Sequence, residues 1–285
     1  MSDVHLRAMT PADLPAFDEL CRLAGWNQTA ADLQRMLDVC PQGMFSAECE
    51  GRLCGSASAI SYGSTCGWIG MILVHPDFRR RGIATLLMSQ CIDHLRGLGV
   101  RSIMLDATDQ GRPVYQKLGF IDEQPVVRLA GCGIDPSERP GNGLTIRPIR
   151  QDDLEAIAAL DGPVFGADRS ALLESLANSG PAMLARRDGR LVAFGMARGG
   201  HNAAFMGPVT AEHADGASQI VSALLAELGP DSDVYWDLLP DNAVASELAA
   251  ELGFATARQL TRMYLGQPGP GDAGRTYAIA GFEWG

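Results

Sequence analysis

The chain repeats itself, and that repetition limits its fold more than any other feature. Arg7 opens an R-x-x-x-x-x-D-L pattern that ends at Leu14, and the same pattern runs from Arg147 to Leu154. In each place a polar turn leads into a helix. The segment AECEGRLCGSA from Ala47 is echoed by ARRDGRLVAFG from Ala185. Each reads as a strand, a tight turn carrying Gly51 or Gly189, and a second strand, which is hairpin chemistry. Val74 then matches Val209, and the L-G-F ending at Phe120 matches the one ending at Phe254. These matches, in one order across 285 residues, imply two copies of one fold, each of ordinary domain size. The join falls in CGIDPSERPGNG, from Cys132 to Gly143, where Gly, Pro, Ser and charge punctuate structure. With the boundary near Asn142, the expected units are 1–140 and 141–285. A second Gly/Pro stretch, GQPGPGDAGR from Gly266, reads as a surface loop rather than a lid, because TYAIAGFEW beyond it is again strand-like.

Hydrophobic residues make up 46% of the chain and charged residues 20%, enough to build two cores. No apolar run approaches the roughly 20 residues of a membrane span. The opening MSDVHLRAMTPADL lacks the basic-then-apolar order of a secretory signal. A cytoplasmic protein without a membrane partner is therefore expected. The net charge of -11 argues against nucleic acid as a partner. It suits a cationic substrate, although acidic solubility explains it equally simply. Seven scattered cysteines without a CxxC pair read as reduced thiols, and five histidines show no metal-binding spacing. No metal is expected.

The segment GWIGMILVHPDFRRRGIATLLMSQCIDHLRGLGV carries the chemistry. Its apolar run from Trp68 to Val74 suits a buried strand, which Pro76 ends. From Gly82 an amphipathic helix follows, with Ala84, Leu87, Met88, Cys91 and Leu95 on one face and a stop near Gly97 and Gly99. Between strand and helix lie Arg79, Arg80, Arg81, Gly82, Ile83 and Ala84. A glycine turn at a helix N-terminus aims backbone N–H groups at one point, and three arginines add positive potential. Such a turn can cradle a pyrophosphate. It has neither the GK[ST] of a nucleoside-triphosphate loop nor the GxGxxG of a dinucleotide site.

R-x-x-G-x-A after V-H-P-D-F resembles the acyl-CoA motif [QR]xxGx[GA] of the GNAT superfamily of N-acetyltransferases. The resemblance covers most of residues 4–130. It implies two tandem α/β domains, each a mixed, mostly antiparallel sheet flanked by helices. It implies acetyl-CoA as co-substrate, with Ile72, Leu73 and Val74 along the pantetheine arm. Arg79, Arg80, Arg81, Gly82, Ile83, Ala84 and Thr85 would hold the pyrophosphate. The stretch from Val114 to Phe120 resembles the family's A-x-x-x-Y-x-x-x-G-F ending, which would make Tyr115 the general acid for the departing thiolate; its ordinary reading is a packed aromatic. A backbone N–H at or near Val74 would stabilise the oxyanion. Many members place a glutamate on the strand before the phosphate turn, but here the residues are Gly70, Met71 and Ile72. Asp106 on the next strand is a candidate base, with a structural reading supported by Asp237 in the comparable strand of the second copy. His75 is another candidate, or simply the turn into the loop.

At the matching place the second copy reads GPVTAEHADGA from Gly207, so acidic residues replace the arginines. That potential repels a pyrophosphate. Ala249 stands where the first copy has Tyr115. The second copy is thus expected to be a degenerate partner that completes the acceptor pocket, as ligand sites often lie between domains. Trp236, Asp237 and Asp241 could contribute, though sheet packing and a turn also explain them. The expected activity is direct acetyl transfer to a small-molecule amine by a monomer or homodimer. The rivals are protein or peptide acetylation, aminoacyl-tRNA-dependent transfer, and non-catalytic acyl-CoA sensing.

Overall fold

The computed structural model describes residues 4–135 and 143–285; the expected boundary at Asn142 lies outside the described residues. The first copy begins with β1 (Val4–Ala8), α1 (Leu14–Leu23), α2 (Ala30–Val39), β2 (Met44–Cys49), β3 (Arg52–Tyr62) and β4 (Cys66–Val74). It continues through α3 (Ile83–Gly97), β5 (Ser102–Ala107), α4 (Arg112–Lys117) and β6 (Ile121–Cys132). The second copy repeats the order as β7 (Thr145–Pro148), α5 (Leu154–Phe165), α6 (Ser170–Ala177), β8 (Ala182–Arg187), β9 (Arg190–Arg198) and β10 (Ala204–Ala211). Then follow α7 (Ala214–Leu228), β11 (Asp233–Leu238), α8 (Ala243–Glu251), β12 (Ala255–Gly266) and β13 (Thr276–Ala278).

The repeated motifs have local causes. Arg7 donates to both oxygens of Asp13 at 2.8 and 2.6 Å, and Arg147 does the same to Asp153 at 2.6 and 2.7 Å. Each aspartate also accepts a backbone N–H, from Thr10 or Arg150, so one carboxylate ties the first strand to the first helix. The hydrogen bonds from Arg7 hold the Asp13 carboxyl down at about 2. Its contribution to stability is therefore present above the unfolded carboxyl range and is lost as pH falls through about 2. In both hairpins the two turn residues have positive φ: Glu50 and Gly51 at 56° and 74°, Asp188 and Gly189 at 50° and 80°. That is the turn whose twist matches the flanking strands.

The copies are not separate sheets. The strands of the described residues form one sheet in the order β1-β2-β3-β4-β5-β12-β6-β11-β10-β9-β8-β7, with β13 off this path beside β10. Each copy's longest strand, β6 or β12, has crossed over. β12 pairs with β5 of the first copy, and β6 pairs with β11 of the second. The two exchanged strands also pair with each other from Ala255↔Ala130 to Tyr264↔Ile121. Two buried ion pairs mark the exchange: Arg262 of β12 grips Asp106 of β5 at 2.9 and 3.0 Å, and Arg128 of β6 grips Asp237 of β11 at 2.7 and 2.7 Å. Each arginine faces its aspartate directly across the ladder. Removing one partner of such a pair strands a buried charge. Asp237→Ala is expected to cost about 3–5 kcal/mol, measured as a lower urea midpoint; an unchanged midpoint would refute the clamp.

The sheet separates two layers. One face carries α1, α2, α5 and α6 over a shared core that includes Phe17, Met36, Trp68, Phe194 and Trp284. On the other, α3 packs Ile83, Leu87, Met88, Cys91 and Leu95 against the first copy, while α7 covers the second. No helix among the described residues is long and apolar enough to cross a membrane.

Candidate active site

β4 and β5 run parallel but pair only from Cys66↔Ser102 to Trp68↔Met104. Beyond Trp68 they separate. The cause lies in β4: Ser58 faces Gly70 and Ser56 faces Leu73, so Met71 and Ile72 share one opposing residue. Met71 takes φ 52°, and Ser56 Oγ donates to its carbonyl at 2.9 Å. This bulge bends the strand and leaves Ile72, Leu73 and Val74 without a ladder partner on the β5 side. Ile72 and Val74 lie against the α3 core, whereas Leu73 points into the opposite one.

After β4 the chain makes a single 3₁₀ turn, Pro76–Phe78. His75 Nδ1 accepts the Asp77 N–H at its N-terminus (3.3 Å), so this ring nitrogen helps shape the turn. Arg79, Arg80 and Arg81 are exposed, and Arg80 and Gly82 take φ 62° and 80°. Arg79 Nε reaches back to the Val74 carbonyl at 3.2 Å, and the Arg81 guanidinium lies 5.0 Å from the Phe78 ring centre. A Cβ on Gly82 would meet nothing within 4 Å, so the space before α3 is open. The first N–H groups of a helix have no internal partner, and Ile83, Ala84 and Thr85 open α3. The arrangement can hold a diphosphate.

Tyr115 sits on α4, packed on the same core face as Ile72 and Val74. Its ring fills the space above Gly111, where a Cβ would come within 2.9 Å of it. Burial raises the phenol to about 12, so it keeps its proton at neutral pH. Asp106 stands elsewhere in the chemistry: its side chain is fully buried and both oxygens are taken by Arg262. The structural reading of Asp106 fits, and the role of base does not.

The second copy has the same separation with a different content. β10 and β11 pair from Ala204↔Val234 to Met206↔Trp236 and then part. β13 lies in the gap, pairing with β10 at Val209↔Ala278 and Thr210↔Thr276. Ile279 donates to the Asp237 carbonyl at 3.0 Å, and Trp236 Nε1 donates to the Tyr277 carbonyl at 2.7 Å. The helix start beyond it carries His213 and Asp215, and Arg187 is ion-paired to Asp215. Ala249 is buried in the core.

On the face opposite α3 lies a cavity of about 220 Å³ built by both copies. Trp68 and Met104, the last paired residues before β4 and β5 part, form one wall, and Phe165, Glu123 and Asp241 line others. Arg169 and Arg262 also reach it, but each is neutralised by a buried aspartate, Asp161 or Asp106. The 266–275 stretch, expected as a plain surface loop, walls this cavity. It is anchored by Gly269 N–H to Glu123 (2.8 Å) and Asp272 N–H to the Val164 carbonyl (2.7 Å). Of the three residues expected at a pocket, only Asp241 lines this cavity; Trp236 is core and Asp237 is ion-paired. Among the described residues no cluster of His, Cys, Asp and Glu is placed to hold a metal.

The parted strands sit in a fold whose two halves match acetyltransferase family models: the chain is an acyltransferase and belongs to the GNAT superfamily. Residues 12–120 match the acetyltransferase (GNAT) family model and residues 157–278 match an acetyltransferase (GNAT) domain model. The chain is similar to YitH, an uncharacterised N-acetyltransferase of Bacillus subtilis, at 25% identity over 91% of both chains. It is also similar to holothin acyltransferase of a Pseudoalteromonas strain, at 23% over 91% of this chain and 87% of that one. A supposed acetyltransferase from Pyrococcus horikoshii superimposes with a TM-score of 0.84, at 22% identity over 99% of this chain and 96% of its own. A tandem GNAT protein of the clavulanic acid pathway gives 0.66, at 14% identity over 92% of this chain and 98% of its own.

Proposed function

We propose that the first copy transfers an acetyl group from acetyl-CoA directly to the primary amine of a small molecule, and that the second copy binds no co-substrate. One contrast carries this reading: the gap between β4 and β5 is open and ends in a basic turn, whereas β13 fills the gap between β10 and β11. Ile72, Leu73 and Val74 offer a free strand edge to the pantetheine arm. The turn from Arg79 to Thr85 holds the diphosphate. A backbone N–H at or near Val74 receives the oxyanion. Tyr115 passes its proton to the sulfur as the carbon–sulfur bond breaks.

The acceptor comes from the other face, through the cavity beside Trp68. Glu123 and Asp241 leave that cavity net negative, and Trp68 and Phe165 supply aromatic walls, which together suit a small ammonium ion. Replacing Glu123 by Gln together with Asp241 by Asn should raise the amine KM roughly tenfold at unchanged acetyl-CoA affinity. An unchanged KM would move the acceptor elsewhere. The reading as a whole is tested by calorimetric titration with acetyl-CoA. One site per chain is expected; two sites would overturn the assignment of the second copy, and no binding would overturn the transferase.

A further inference from the structure

Three fully buried serines stand beside the bulge of β4: Ser56 and Ser58 on β3, and Ser46 on β2, which faces Ser56. The hydroxyls of Ser46 and Ser58 have no partner among the described residues, whereas Ser56 Oγ donates to the Met71 carbonyl at 2.9 Å.

The ladder explains what that one bond does. Antiparallel partners exchange hydrogen bonds at every second position. His75 donates to the Cys54 carbonyl at 2.9 Å, so Leu73 with Ser56 is the next bonded pair, and Val74 and Ile72 turn their N–H groups away from β3. On β3 itself, Ala59 donates to the Gly43 carbonyl at 2.7 Å, so Ala57 turns its polar groups to β2 and offers the bulge no donor. The Ser56 hydroxyl takes the place of the missing N–H. A trans peptide unit is planar, and its C=O and N–H point in opposite directions. Holding the Met71 carbonyl toward Ser56 thus aims the Ile72 N–H away from β3, into the gap between β4 and β5. Met71 keeps φ 52°, a backbone state that a residue other than glycine retains only when its surroundings enforce it.

The second copy lacks both parts. Its bulge holds Gly207 and Pro208, between the facing pairs Met206↔Ala197 and Val209↔Gly195. In the place of Ile72 stands Pro208, which has no N–H. In the place of Ser56, facing the residue after the bulge, stands Gly195, which has no hydroxyl. The hydroxyl and the aimed N–H occur together in the copy whose gap is open.

We propose that Ser56 is a positioning residue of the first copy's site: through the Met71 carbonyl it aims the Ile72 N–H at the thioester oxygen. The assignment rests on the transferase reading above. When the neutral amine bonds to the thioester carbon, the C=O electron pair moves onto oxygen, and the Ile72 N–H receives that charge. As the pair returns, the carbon–sulfur bond breaks. The nitrogen releases one proton to solvent, which replaces the one that Tyr115 gives the sulfur. Ser56, fully buried, touches neither substrate and acts through the peptide it holds.

The test uses Ser56→Ala, with Ser46→Ala as control, a panel of small primary amines, and acetyl-CoA isotope-labelled at the acetyl carbonyl. Ser56→Ala should lose roughly tenfold in kcat, less than the roughly 10²–10³-fold lost with a direct oxyanion donor, while its acetyl-CoA Kd stays within about twofold. The infrared stretch of the labelled carbonyl should lie below its free value in the wild-type complex and return toward it in the Ala variant. Ser46→Ala, which removes a hydroxyl equally buried but bonded to nothing, should match wild type in both readouts. Ser56→Thr and Ser56→Val are equal in size and differ in the hydroxyl. Thr should keep the lowered stretch and Val should not, which decides the matter if the Ala variant fails to fold. Wild-type kcat or an unmoved stretch in Ser56→Ala, equal losses in the Ser46 variant, or a Thr variant no better than Val would each overturn the positioning role. A loss of kcat matched by an equal loss of acetyl-CoA affinity would overturn it too, since that marks a loosened strand rather than a misdirected N–H. Wild type that binds acetyl-CoA but acetylates no amine would instead overturn the transferase reading; the stretch, read without an acceptor, tests Ser56 separately.

Discussion

Replacing Arg81 by Glu and Gly82 by Asp together should weaken acetyl-CoA binding at least about 100-fold, or about 2.7 kcal/mol. Three effects combine. The variant puts two negative charges where a diphosphate meets the α3 N-terminus, and like charges within a few ångströms repel. It opposes the positive end of the helix dipole. It also asks a residue with a Cβ to adopt φ 80° at position 82, which costs roughly 1–2 kcal/mol for most residues and less for Asp. Because no atom lies within 4 Å of a Cβ there, the substitution crowds nothing and the melting temperature should change little. Calorimetry with acetyl-CoA and a thermal melt separate the cases. Retained binding would remove the turn from the site, and a collapse in stability would leave the loss of affinity uninformative about contact.

Tyr115→Phe should lower kcat about 100-fold, the lower end of what a general acid contributes. Its acetyl-CoA affinity should stay near wild type, because the ring still fills the space above Gly111. The pH profile carries a second check. On the proposed mechanism the phenol is the proton donor, and burial raises its pKa to about 12. The acid form therefore persists as pH rises and is lost only near 12, so Tyr115 imposes no alkaline fall in rate below about pH 11. A wild-type profile that falls near pH 10 and straightens in the Phe variant would show a less shielded phenol than the structure describes. Full turnover in the Phe variant would dismiss the residue from the chemistry.

What the sequence made legible was local. The hairpin turns at Gly51 and Gly189, the glycine turn before α3 and the helix behind it all rest on interactions between residues a few positions apart. The repeated Arg and Asp of the two opening motifs were visible as a pattern, and they join into one clamp because both fall in a single strand-to-helix turn. The strand exchange was not legible. Arg128 and Asp237 are 109 positions apart and Arg262 and Asp106 are 156 apart, and nothing in either strand says which copy's neighbour it will take. One cue did exist. Asp106 and Asp237 occupy the same place in matching strands although only one copy keeps the basic turn, which already favours a structural duty. The segment from Thr276 was read as one strand, yet β13 ends at Ala278, and the chain bends at Gly281 (φ 141°) into the turn that carries Glu283. A one-letter reading of FEW as alternating apolar and polar residues conceals that turn.

The exchange also fixes the timing of assembly on the ribosome. β5 is synthesised by Ala107, but its partner strand ends only at Gly266, a wait of roughly 8–30 s at the usual 5–20 residues per second. During that interval the nascent first copy presents the open edge of β5, a ready template for foreign strands, and carries the uncompensated Asp106 that Arg262 will later meet. The half that bears the basic turn is translated first and completed last. A protein released early would therefore hold the first copy's sequence without its finished sheet, so the first copy's sheet depends on a strand of the second.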